Sequence, residues 1–148
     1  MKKLLFLFCL LSWSVLHAQK TINRPPFIAK ATETIEIAAI HLSDTATVVD
    51  VDAKFIPKNW IRIAPTTCLV ADNGERYQVR QGVGIELGQE FWMPESGEAT
   101  FSLIFPPLPA SVKSFDFVEG EGERDFNLFG ISLIGKLPKL QLPKDLGK

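Results

Sequence analysis

Cysteine is nearly absent from this sequence. The 148 residues contain two, Cys9 and Cys68, and Cys9 falls in a segment read below as a removable leader. One remaining thiol excludes an internal disulfide and a CxxC redox pair. Cys68 then reads as a small buried hydrophobe on a strand. Histidine is scarce too, and beyond the leader only His41 is left. Positive charge is not in surplus: 16 basic residues face 17 acidic ones. That balance, with no Lys/Arg cluster, argues against nucleic acid and against a charged membrane surface. No Walker loop, nucleophile elbow or dinucleotide fingerprint is present, and "GVGIELG" leads into no helical pattern. No segment keeps a helical period over three turns.

What is present begins with an address. Lys2 and Lys3 precede an unbroken apolar run, residues 4–11, and Ala18 suits the position before a cut. That run is shorter than the roughly 20 apolar residues a spanning helix needs. Residues 1–18 are therefore expected to be a cleaved signal peptide, with no lipid on Cys9, because no small-residue box precedes it. Cleavage leaves 130 residues with a charge of −3, enough for one unstapled domain. The expected compartment is periplasmic or secreted, with no transmembrane segment after cleavage.

The rest reads as short strands. Ile35 and Ile37 alternate with polar neighbours. Val49, Val51, Ala53 and Phe55 are expected on one face, with Asp50, Asp52 and Lys54 on the other, the pattern of an antiparallel sheet with one wet side. "NWIRIAP" restarts an extended run at Trp60. Asn73-Gly74 predicts a two-residue type I′ turn, which sets Val70 opposite Tyr77 and Cys68 opposite Val79. Residues 81–97 read as a long glycine-containing connection that crosses between sheets. Ala99, Phe101, Leu103 and Phe105 share a face, and then Pro106, Pro107 and Pro109 forbid the strand to continue. The prolines are expected to bridge strands or sheets and to blunt an edge. Phe115 and Phe117 form one face of the next strand, and Phe129, Ile131 and Leu133 one face of the last. Seven or eight such strands predict an all-β, two-sheet antiparallel sandwich. The expected domain spans residues 24–136, followed by a linker-like tail, 137–148.

Three stretches carry a resemblance: "IHLSDTATVVDVDAKFIPKNWIRIA", "GIELGQEFWMPESGEATFSLIFPPLP" and "SFDFVEGEGERDFNLFGISL". Together they resemble the immunoglobulin-like domain that precedes a thioredoxin-like domain in Bacteroidetes-type envelope proteins of the thiol–disulfide interchange class. The resemblance implies an immunoglobulin-like fold, an envelope compartment and an accessory role. It implies no catalytic residue, and the redox domain with its CxxC is missing here.

Candidate sites are few. Asp44, Asp50 and Asp52 supply hard oxygens, but no metal loop surrounds them, and a solvated strand face explains them better. The acids of "EGEGERD", Glu119 to Asp125, read as a soluble hairpin tip. His41 lies near Ser43 and Asp44, yet consecutive strand-end residues do not form a triad easily. Phe91, Trp92 and Met93 form either a lid over the protein's own core or a contact surface. The sequence thus predicts no catalytic, cofactor-binding or metal-binding residue and no cofactor. It predicts a non-enzymatic docking module for another envelope protein, a separately encoded thioredoxin-like domain included. The alternative is a small-ligand or glycan-binding, lectin-like module. An exposed aromatic row would favour that alternative, and only Trp60 and Trp92 are available to contribute. An enzyme fragment is a third and weaker option.

Overall fold

The structure, a computed structural model, describes residues 19–120, 122 and 125–139. The expected signal peptide, Glu121, Glu123 and residues 140–148 of the expected tail lie outside the described residues. The described residues are all-β, with no helix among them. The strands are β1 (Lys20–Asn23), β2 (Ala29–Lys30), β3 (Ile35–Leu42), β4 (Thr47–Lys54), β5 (Trp60–Ile61), β6 (Cys68–Ala71), β7 (Arg76–Gln78), β8 (Gln81–Val83), β9 (Phe91–Trp92), β10 (Glu98–Phe105), β11 (Ser114–Val118) and β12 (Asn127–Ser132). The count exceeds the expected seven or eight because five of these strands have only two or three residues.

One five-stranded sheet runs β1-β3-β4-β10-β8 and a second runs β2-β12-β11-β6-β7, with β5 and β9 as a separate ribbon. Every pairing is antiparallel. Both sheets contribute to one apolar core: Ile35, Val49 and Leu103 from the first, Leu69, Phe117 and Ile131 from the second. Phe105 and Phe117 join the two sheets edge to face, with ring centroids 6.2 Å apart.

The alternating stretches behave as half-buried strands must. Val49, Val51 and Ala53 point inward while Asp50 and Asp52 do not, and Phe101, Leu103 and Phe105 are buried. The proline segment carries the chain from β10 in the first sheet to β11 in the second. The connection from β7 to β8 also changes sheet, so the crossing expected within residues 81–97 falls before Gln81, and that stretch returns to β10 of the same sheet.

Five further expectations need correction. First, the sheet starts ahead of residue 24, because β1 pairs with β3 from Lys20. Second, β4 ends at Lys54, and Phe55 is exposed because its backbone N–H turns to Gly97 O (2.9 Å). Third, the β6–β7 hairpin sets Leu69 opposite Tyr77 and Cys68 opposite Gln78. Ala71 N donates to Glu75 O (2.9 Å) around a three-residue loop, and only Gly74 takes a positive φ (84°). Three-residue loops closed by a left-handed glycine shift the register by one relative to a type I′ turn.

Fourth, Phe129 is not in phase with Ile131. Leu128 is 1% exposed and Phe129 is 37% exposed. Gly130 (φ 65°) sits at a register shift between β11 and β12, and such a bulge flips the alternation. Fifth, the prolines blunt no edge, because β10 lies between β4 and β8.

Candidate functional site

The β5–β9 ribbon lies at the end of the first sheet where β4 stops and β10 starts. Met93 N donates to Asn59 O (2.7 Å) and Lys58 N to Met93 O (3.3 Å), which lengthens the ribbon's own ladder beyond its two paired positions. Lys58 adopts φ 64° in the turn leading to Trp60, a conformation that residues other than glycine seldom take.

Alternation then splits the ribbon into two faces. Ile61 and Phe91 pair on the inner face, and Phe91 meets Phe101 with centroids 6.3 Å apart. Met93 is buried beside them. Trp60 and Trp92 pair directly on the outer face, where they are 44% and 60% exposed. The two readings of Phe91, Trp92 and Met93 therefore divide by residue: Phe91 and Met93 form a lid on the core, and Trp92 is presented outward.

Trp60 also borders a cleft of about 630 Å³, together with Phe55, Phe126, Arg62, Glu119 and Asp125. Glu119 is no hairpin tip. Ala64 N donates to its Oε1 (3.3 Å) and Phe126 N to its Oε2 (2.9 Å), so its carboxylate ties the β11–β12 turn to the chain after β5. Burial raises its pKa. The two backbone donors and Arg62 pull it down and the charge of Asp125 pushes it up, leaving a net rise. Asp125 Oδ2 accepts from Gly122 N (2.6 Å), and Arg62 Nε donates to Gly88 O (3.1 Å).

No protein-family model matches the chain, and no curated protein or solved structure matches it.

The other candidates are engaged elsewhere. On the outer face of the first sheet, Ser102 Oγ donates to Asp50 Oδ1 (2.7 Å), His41 Nε2 lies 2.7 Å from Asp50 Oδ2, and Thr21 Oγ1 lies 3.1 Å from His41 Nδ1. The serine touches the acid and not the ring, so the histidine is not placed to take its proton, as a triad requires. Instead the four side chains form a polar rung across β1, β3, β4 and β10. Asp52 accepts from Arg24 Nη2 (2.6 Å). Asp44 lies in a depression at the opposite end of the sheet, with Leu42 and Leu108. Among the described residues no group of three His, Cys, Asp or Glu side chains is placed to hold a metal ion. Cys68 is buried, with Arg76 Nη1 3.6 Å from its sulfur.

Sequence reasoning named Trp60 and Trp92 but did not pair them. It missed the roles of Glu119, Arg62 and Phe126, and nothing local marks them: Glu119 meets Ala64 across 55 positions of sequence.

Proposed function

We propose that this chain is an exported, non-enzymatic β-sandwich of immunoglobulin-like type that docks on another envelope protein, such as one with a thioredoxin-like domain. The Trp60–Trp92 pair carries this reading. Two large aromatic side chains held side by side on a hydrogen-bonded ribbon lose little freedom on binding and bring much apolar area to a contact. Their inner neighbours already lid the core, so the outer pair is not needed to cover it. Two five-stranded sheets around one core, with connections that change sheet, support the sandwich assignment. Export rests on the leader pattern, and β1 starts two residues after Ala18.

A second reading, a small-ligand or glycan-binding module, draws on Trp60 lining a cleft beside Thr32, Thr34 and charged groups.

Photo-crosslinking in the native envelope separates the two. A benzophenone residue replaces Trp92 in one variant and exposed Glu75 in another. Docking yields one discrete protein adduct from position 92, none from position 75, and an intact mass that starts at Gln19. A saccharide adduct supports the second reading. No adduct, or equal adducts at both positions, overturns the docking role.

A further inference from the structure

The cleft beside Trp60 has a composition of its own. Three aromatic side chains, Phe55, Trp60 and Phe126, line it together with two carboxylates, Glu119 and Asp125, and one guanidinium, Arg62. Its volume of about 630 Å³ exceeds what one long side chain fills. Aromatic faces carry negative quadrupole potential and attract cations that approach within about 6 Å. The carboxylates outnumber the guanidinium, so the lining is net negative.

We propose that this cleft receives a lysine or arginine side chain of the protein that docks on the Trp60–Trp92 ribbon. The inference rests on the docking reading and adds the chemistry of the partner.

Trp60 links the two features, since its ring belongs to the outer face of the ribbon and also borders the cleft. A partner that covers Trp92 therefore has the cleft mouth within reach. Backbone donors on both Glu119 oxygens hold that carboxylate in place before any ligand arrives. A carboxylate accepts about four hydrogen bonds, so lone pairs are left for an ammonium or guanidinium donor. Glu119 and Asp125 repel one another across the cleft, which contributes to the raised Glu119 pKa. A bound cation relieves that repulsion, whereas a neutral sugar leaves it in place.

The test uses the whole protein and the tripeptides acetyl-Gly-Lys-Gly-amide and acetyl-Gly-Arg-Gly-amide. Acetyl-Gly-norleucine-Gly-amide, methyl β-glucoside and choline are the comparisons. NMR of the Trp60 indole N–H reads occupancy. The basic tripeptides should shift it saturably, more weakly as salt rises, and the two neutral probes should not. Asp125→Asn should weaken binding by about fivefold, the scale of a partly exposed ion pair. Glu90→Gln, outside the cleft, should bind as wild type does. Equal binding of a neutral probe, wild-type affinity in Asp125→Asn, or choline binding tighter than either tripeptide overturns the proposal. The two readings fail separately. Crosslinking at position 92 without tripeptide binding removes the basic side chain and leaves docking. Tripeptide binding without crosslinking removes docking, and with it the partner proposed here.

Discussion

Asp50 stands directly opposite Ser102 in the β4–β10 register and accepts its hydroxyl hydrogen bond at 2.7 Å. Its other oxygen takes His41, which reaches Thr21 on the edge strand β1. One carboxylate thereby connects four neighbouring strands through side chains alone, on the wet face of the sheet.

That arrangement gives stability a definite dependence on pH. Burial alone raises the Asp50 pKa, but the hydrogen bonds from Ser102 and His41 and the electrostatic attraction of His41 outweigh it, and the net shift is downward. Glu119 shifts upward. A depressed acid stabilises the fold above its ordinary pKa, and that stability is lost as pH falls through the folded value. A raised acid has the opposite sign: the folded state binds the proton more tightly, so its contribution grows as pH falls through the raised value. Urea midpoints across the acid range should show the wild-type advantage over Asp50→Asn shrinking toward low pH. The difference between wild type and Glu119→Gln should change in the other direction. Parallel profiles for the two variants contradict these assignments.

The bulge at Gly130 makes a sharp contrast between adjacent residues. Leu128→Ala should cost about 2–5 kcal/mol, the range for emptying a buried aliphatic site. Phe129→Ala should cost under about 1 kcal/mol despite removing the larger side chain. The same logic sets Phe101→Ala, at about 3–5 kcal/mol, above Thr100→Ala on the opposite face. Reversal of either order in urea unfolding means the strand phase is wrong.

Thr47 is fully buried at the start of β4, and its hydroxyl has no hydrogen-bond partner among the described residues. An unpaired buried hydroxyl costs about 1–3 kcal/mol. Thr47→Val keeps the shape and removes the polar atom, so it should raise the thermal midpoint. A lowered midpoint shows that the hydroxyl is satisfied.

Replacing Pro106 and Pro107 together by glycine should cost about 0.4–1 kcal/mol per site, because the unfolded chain gains freedom. Self-association should not rise, since β10 next to the prolines is already paired on both sides, by β4 along its length and by β8 at Ser102 to Ile104. Sedimentation velocity checks this, and new dimers in the variant show that the prolines guard against association after all.

Strand phase was legible wherever the alternation was set by one buried face, as at Val49, Val51 and Ala53 or Phe101 to Phe105. It failed where a local residue changed the count. Gly130 shifts β12 only because β11 holds the register on both sides of it, and a single strand read alone does not show its partner. The Asn73-Gly74 hairpin failed by one residue because Asp72 joins the loop, which a dipeptide rule does not reveal. The tryptophans were visible as candidates, but their pairing depends on two strands of two residues each, too short for any period to show. Glu119 read as solvated because it opens a run of acids and glycines, a composition usual for exposed turns. Its place is set by backbone donors, one of them from Ala64, far away in the chain.

The two poles of the molecule carry different parts of the chain. At one pole Lys20 pairs with Leu42, and its ammonium reaches the carbonyl of Leu133 (3.1 Å), so the first and last strands begin and finish together there. At the other pole, about 25 Å away along the eight-residue strands β3 and β4, lie the paired tryptophans and their cleft. The two-sheet body is thus a spacer: a molecule covering the Trp60–Trp92 pair and one covering the Lys20–Leu42 end are kept apart by the length of the sheet.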